Sequence, residues 1–215
     1  MIDISQEIHP GMPLFPVFPK PQFVQWTRRE TYGFETEAMF LVTHTGTHVD
    51  APFHFQATGI KIDKVPPEQL IGRGVLLDLT KTEEKGAIAA SDIRDAERAA
   101  GTPLKERDII LVRTGWDRML GTEKYATSYP GLTKDAADFI LERKVNAVGV
   151  DTPNPDLPDA ADFPVHNTLL PKGVLIVENL ANLGSISRPT FRFIGLPLKI
   201  RNGTGSPIRA VAIED

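Results

Sequence analysis

Apolar positions along the chain fall into short continuous runs separated by stretches with helical spacing. Residues 74–79, 108–112, 147–150 and 174–177 are runs of strand length, rich in Val, Ile and Leu. Their lack of alternation predicts strands buried on both faces. Residues 91–100 predict a helix, with Ser91 as N-cap and Gly101 just past its end. A second helix is predicted over residues 134–144, with Thr133 as N-cap and Ala136, Ala137, Ile140 and Leu141 marking one face. Strand, helix, strand, helix, strand is the pattern of an α/β fold with parallel strands. The ends differ. Residues 35–42, 191–200 and 208–213 alternate more, and residues 202–207 read as the turn between the last two. These segments predict antiparallel strands that make the sheet mixed or form a second one.

Composition narrows the class. A chain of 215 residues is expected to fold as one domain spanning 1–215, with a core large enough to need neither disulfide nor structural metal. Its 18 prolines concentrate in residues 10–21, 52–67 and 153–171. These stretches read as ordered loops, a common place for a binding site. There is no repeat and no low-complexity tract. With 24 Lys and Arg against 28 Asp and Glu the net charge is −4, and no basic block occurs. A nucleic-acid partner is therefore not expected. No apolar stretch approaches the ~18 residues of a membrane span. Residues 1–21 do not read as a signal peptide, which leaves the cytoplasm as the expected location.

The chain has no cysteine. That excludes thiol nucleophiles, Fe–S clusters and zinc fingers, so any metal must be held by nitrogen and oxygen. Neither a G-x-S-x-G elbow nor a complete phosphate loop is present. Only five histidines occur, and three of them, His44, His48 and His54, fall within eleven residues together with Asp50. Three imidazoles and a carboxylate suit zinc, manganese or iron, with zinc the commonest catalytic choice. The bland alternative is a hydrogen-bonded loop network. The His44-x3-His48 spacing is not helical here, because Gly46, Pro52 and the β-branched Thr45, Thr47 and Val49 disfavour helix. In a fully extended strand the Cα atoms of His44 and His48 would lie about 13 Å apart, at ~3.3 Å per residue. Gly46 is therefore expected to supply a bend that draws the rings together.

The stretch His44-x-Gly46-Thr47-His48-x-Asp50-Ala51-Pro52-x-His54-Phe55 resembles the signature of the cyclase family, which includes bacterial kynurenine formamidase and isatin hydrolase. The likeness extends over nearly the whole chain, through Asp3-Ile4-Ser5, Val112-Arg113-Thr114-Gly115-Trp116, Val148-Gly149-Val150-Asp151-Thr152-Pro153, His166-x3-Leu170-Pro171 and Ile176-Val177-Glu178-Asn179. It implies an α/β single domain of the swivelling β/β/α type, with a mixed sheet and additional antiparallel strands, assembled as a homodimer or homotetramer. It implies one or two zinc ions, with manganese an alternative. His44, His48 and Asp50 would bind the first ion. Asp50, His166 and Glu178 would bind the second, with Glu178 touching both. His54 would carry protons, and Phe15 and Phe18 in the N-terminal loop would contact substrate.

The implied activity is metal-dependent hydrolysis of a small amide, cyclic amide or ester, first among them an aryl formamide such as N-formylkynurenine. Isatin- or lactone-type ring opening with one Mn²⁺ is the enzymatic alternative. A metal-dependent small-molecule binder without turnover is the non-enzymatic one. Asp78 and Asp151 at strand ends are candidates to orient ligand histidines or to hold turns. Trp116 reads as packing, and His9 lies outside the expected ligand set.

Overall fold

In the computed structural model, which describes residues 1–214, nine strands form one mixed sheet. Four parallel strands occupy its centre in the order Ile71–Asp78, Ile109–Arg113, Ala147–Val150 and Leu175–Glu178. These are the four continuous apolar runs, and their alternate side chains enter two separate cores. Val75, Leu77, Ile110, Val112, Val148 and Ile176 face one side, where Ile93, Ala96, Ala136, Ala137 and Ile140 of two helices cover them. Leu76, Ile109, Leu111, Leu175 and Val177 face the other. There Val49, Phe193 and Ala212, from strands at opposite flanks of the sheet, close over them. A single sheet covers its own face in this way only by curling.

The flanks are antiparallel, as the alternating ends of the sequence suggest. Thr190–Ile194 pairs with Ile71–Asp78, followed outward by Val211–Ile213 and Ile2–Asp3. On the other flank His48–Asp50 pairs with Leu175–Glu178, and Gly205–Pro207 forms the edge. That edge strand corrects the reading of residues 202–207 as a turn. The turn is tighter, closed by the Gly203 N–H on the Ile200 carbonyl. Pro207 is tolerated on the outermost strand because an edge leaves one side of the ladder unpaired. Of residues 191–200, only the part within Thr190–Ile194 joins the sheet. Residues 35–42 enter a separate two-stranded sheet, in which Gln22–Thr27 pairs with Thr36–Phe40.

Besides the four-residue helical turn Arg29–Tyr32, the helices are Ala90–Ala99, Lys134–Glu142 and the short Pro164–Leu169. Ser91 lies inside the first rather than at its cap. The orphan N–H groups of that end are satisfied by carboxylates instead, Ala89 donating to Asp92 at 2.7 Å and Ala90 to Asp135 at 3.0 Å. Gly101 follows the helix with φ +64°, as its expected place past the end requires. Thr133 holds the N-cap position of the second helix, but its hydroxyl donates to Asp135 rather than capping a backbone N–H. Among the described residues no helix is long and apolar enough to cross a membrane.

The parallel strands all end on one edge of the sheet, where open α/β sheets place their sites. Glu178 is the last residue of its strand, and the antiparallel register sets it directly opposite His48.

Candidate metal centre

The backbone explains why the histidine segment gathers here. Residues 43–47 form a turn in which Gly46 takes φ +65°, and only His48–Asp50 is extended. The expected bend is therefore present, and it brings the His44 and His48 rings to 5.1 Å between centroids, edge to face. A Cβ on Gly46 would also press on Ile8 and Met12, at 3.2 and 3.3 Å. Within the strand His48 and Asp50 point to the same face. After Asp50 the chain turns through a 3₁₀ segment, Pro52–His54, which returns the His54 ring to stack on His44 at 4.0 Å. His166 arrives from the short helix Pro164–Leu169, on the connection that follows strand Ala147–Val150.

Five side chains thus converge although 134 positions separate the first from the last (44 to 178). His44, His48, Asp50, His166 and Glu178 are all buried. His48 Nε2 lies 3.3 Å from Asp50 Oδ1 and 3.2 Å from Glu178 Oε2. His166 Nε2 lies 3.3 Å from the other oxygen of each carboxylate, Asp50 Oδ2 and Glu178 Oε1. Each carboxylate therefore divides its oxygens between His48 and His166, and Asp50 Oδ1 meets His44 as well. His44 directs Nδ1 to Asp50 Oδ1 at 2.6 Å and accepts on Nε2 from the Thr204 hydroxyl at 2.9 Å. His54 is half-buried, and one of its ring nitrogens lies within 4.8 Å of a His166 nitrogen and an Asp50 oxygen.

Three atoms of the cluster have no hydrogen-bond partner: His48 Nε2, Asp50 Oδ2 and Glu178 Oε1. Buried polar atoms are rarely left so, and the cost is of order 1–3 kcal/mol each. Ligands at ~2.0–2.1 Å on a tetrahedral ion sit about 3.3 Å from one another. The 3.2–3.3 Å separations match that edge. The residues present therefore fit a metal ion.

Electrostatics agree. Burial opposes ionisation of Asp50, but the imidazoles of His44, His166 and His48 hold its carboxyl well below the usual range. Glu178 is opposed by burial and by Asp50, yet His166 and His48 also keep it low. His48 would be made less basic by burial alone, and the adjacent carboxylates of Asp50 and Glu178 instead push it up to about 10. His166 is likewise raised, against burial, by Asp156, Asp50 and Glu178. Two buried carboxylates demand positive charge, and protons supply it where a divalent cation does not. His54 is the exception. Burial first, then the neighbouring His44 and His166, lower its pKa to about 4, so its ring is neutral at pH 7.

The imidazoles are oriented from behind. His48 Nδ1–H donates to the Gly46 carbonyl at 2.8 Å, leaving Nε2 to face the carboxylates. His166 Nδ1–H donates to Asp156 at 2.5 Å, and Asp156 also accepts the Val165 N–H at 2.6 Å. Such carboxylate–histidine pairs fix tautomer and ring plane in metal sites. Of the three aspartates in question, neither sequence candidate touches a ligand histidine. Asp78 holds a turn through Thr80 and pairs with Arg113. Asp151 accepts the Thr114 and Gly115 N–H groups and the Thr114 hydroxyl, and burial raises its pKa to about 6 against those bonds. Asp156 went unread because a lone Asp in a proline-rich loop looks like a turn residue. Gly205 was also missed. A Cβ there would lie 2.6 Å from His44 Cε1 and 2.7 Å from the Val49 carbonyl.

A pocket of about 160 Å³ opens over the cluster. Phe15 and Phe18 line it, with Phe18 stacked on His44 at 6.3 Å, and so do Phe55 and Phe163, which the sequence reading left unassigned. Phe55 stacks on His166 at 4.4 Å. Trp116 packs beside Tyr125 and donates to its carbonyl at 2.9 Å, outside the pocket. His9 is exposed and neither lines the pocket nor joins the ligand groups.

Comparison with known proteins follows the same lines. A family model described as "Putative cyclase" matches residues 2–157. A kynurenine formamidase of Bacillus cereus (strain ATCC 14579) is 29% identical over 213 residues, covering 98% of this chain and 95% of its own. A crystal structure of an isatin hydrolase bound to the product analogue thioisatinate superposes with TM-score 0.89 at 27% identity, over 98% of this chain and 90% of that one. A further structure, of a potential metal-dependent hydrolase with cyclase activity, gives TM-score 0.79 at 26% identity over 98% and 96%. With the family model covering well over half its length, and the histidine signature folded into one buried cluster, this chain belongs to the cyclase family.

Proposed function

We propose that the chain is a metal-dependent hydrolase of a small amide, cyclic amide or ester, with an aryl formamide as first candidate substrate. Residues 1–215 act as one domain in this reading, assembled as a homodimer or homotetramer in the cytoplasm. The observation that carries it is the set of unpartnered buried atoms, His48 Nε2, Asp50 Oδ2 and Glu178 Oε1, directly beneath an aromatic-lined pocket. His44, His48, Asp50, His166 and Glu178 would hold one or two zinc ions, or manganese. Both carboxylates offer an oxygen to each position. The relatives named kynurenine formamidase and isatin hydrolase support the same chemistry.

The bound metal would supply a Lewis acid and lower the pKa of a water toward ~7. The protein groups do the rest. Gly46 and Asp156 hold the His48 and His166 tautomers. Phe15, Phe18, Phe55 and Phe163 enclose an aryl ring and exclude water around the scissile bond. His54, neutral at pH 7 and free of hydrogen-bond partners among the described residues, takes a proton at a ring nitrogen and returns it to the leaving amine.

A second reading is favoured by one feature of the pocket. Apart from Glu178 and the histidines, its lining contains no charged side chain. The amino-acid end of N-formylkynurenine would find no opposite charge there, which favours an uncharged aromatic amide, as in isatin-type ring opening. Hydrolysis of formanilide, N-formylkynurenine and isatin by the metal-loaded chain tests both readings. His54→Ala is expected to keep its metal and lose at least ~10²-fold in kcat. Loss of metal in that variant would make His54 a ligand. Full activity would remove its proton role, and no hydrolysis of any substrate by the metal-loaded chain would favour a binder.

A further inference from the structure

Outside the histidines and Glu178, the described residues give the pocket two polar side chains only, Asn154 and Asn179. Both residues are buried, at 7% and 9% exposure. Asn154 follows strand Ala147–Val150 and Asn179 follows Leu175–Glu178, so they leave neighbouring parallel strands at the same edge of the sheet. Thr152 ties them together. Its carbonyl accepts the Asn179 N–H at 3.0 Å, and its hydroxyl donates to the Asn154 carbonyl at 2.8 Å.

Hydrogen bonds from behind settle which way each amide faces. Asn154 Oδ1 accepts the Asp156 N–H at 2.7 Å. A backbone N–H only donates, so the atom it meets is the amide oxygen. For Asn179 the direction comes through Tyr125. Gln6 Nε2 donates to the Tyr125 oxygen at 2.6 Å, and the phenol donates its own hydrogen to Asn179 Oδ1 at 2.9 Å. Burial raises the pKa of Tyr125, so that hydrogen is in place at neutral pH. The Asn179 carbonyl is committed too, accepting from the Thr47 hydroxyl at 2.5 Å. What remains on both side chains is Nδ2. Neither nitrogen bonds to another described residue and neither is enclosed, so each is open to the pocket that its residue lines. An amide NH₂ donates and does not accept, so its complement is an oxygen. Two neutral donors suit a carbonyl or hydroxyl, and a few such groups in an apolar pocket fix a ligand's orientation. Neither asparagine belongs to the ligand cluster, so both are free for a second oxygen while the scissile carbonyl faces that cluster.

We propose that Asn154 and Asn179 are specificity-determining donors that select an aryl amide bearing a second, neutral acceptor oxygen beside the scissile group. This rests on the reading of the pocket as the substrate site of a hydrolase. N-(2-acetylphenyl)formamide and N-(2-isopropenylphenyl)formamide share a shape and differ by an oxygen against a methylene. The wild type is expected to prefer the ketone in kcat/KM by about 10-fold, the contribution of one neutral hydrogen bond, or more. Asn154→Asp keeps the oxygen that Asp156 uses and replaces the donor nitrogen by an acceptor. Asn179→Gly removes the amide and tolerates the local φ of +57°. Both are expected to bring the preference down toward one. Tyr125→Phe leaves the Asn179 amide free to turn and is expected to lie between; three variants at separate positions guard against one that fails to fold. Calorimetry on the zinc-loaded His54→Ala chain reads the same preference as a ratio of Kd values, without turnover. A wild type with no preference in kcat/KM, or no preference in Kd, overturns the proposal. A preference that all three variants keep also overturns it, and equal slowing of both compounds would place the amides on the scissile oxygen instead. No hydrolysis of either compound, with the Kd preference intact, removes the hydrolase reading and leaves the donors standing.

Discussion

Glu178 and Trp26 depart from ordinary burial in opposite directions. The carboxylate is 6% exposed in a pocket floor of polar atoms, and the indole is 74% exposed on a projecting hairpin. Neither arrangement is favourable for an isolated chain. A buried carboxylate without full pairing costs several kcal/mol, and a contiguous apolar surface in water marks an interaction site rather than a neutral decoration. Both regions are built to be completed by something, but at different levels. The cluster is held rigidly by the sheet register, by Gly205 and by Asp156, so it is prepared for a small ion. The hairpin is held only at its roots, so it depends on a large surface to fix it.

Substitutions should separate these two dependences. Glu178→Gln removes an oxygen donor from both sides of the cluster, and metal affinity is expected to fall by well over ~10²-fold, measured by competition with a chromogenic chelator. Behind it, Asp156→Asn is expected to weaken metal binding 10–100-fold by releasing the His166 ring. Retention of full affinity there would show that the 2.5 Å contact orients nothing.

The pH response should distinguish the chelated from the loaded chain. His48 is raised from 6.5 to about 10 in the fold, so its protonated form stabilises the metal-free chain fully below pH 6.5. That contribution is lost as the pH rises through about 10. Thermal melts of the chelated chain should therefore decline from neutral pH toward 10, and zinc should flatten the decline because the ion replaces the proton. Equal slopes with and without zinc would contradict the assignment. The smallest effect belongs to the hairpin. If the exposed hairpin takes part in the proposed assembly, the wild-type Tm is expected to rise with protein concentration, and the Trp26→Glu Tm to depend on it less.

Much of this was legible in the chain before its structure. The four apolar runs gave the central strands because strands buried on both faces need apolar side chains at every position. The short spacing of His44, His48, Asp50 and His54 marked the site, and Gly46 explained how a non-helical segment gathers rings. His166 and Glu178 were placed by resemblance. No local pattern sets Glu178 opposite His48, since register is a property of two strands. Asp156 and Gly205 were illegible for a related reason: their roles exist only against His166 and His44 in space. The alternation at residues 35–42 gave an antiparallel strand, and that strand lies in a second, two-stranded sheet. Periodicity reports apolar positions and is silent on what covers them, so a hairpin exposed on both faces was not foreseen.

The central claim is that the buried cluster holds a divalent metal, and elemental analysis tests it most directly. The chain, stripped by chelator, loaded with zinc or manganese and desalted, is expected to retain one or two ions per chain, and the Glu178→Gln variant to retain fewer while still folded. A folded wild-type chain that retains neither metal would contradict the account.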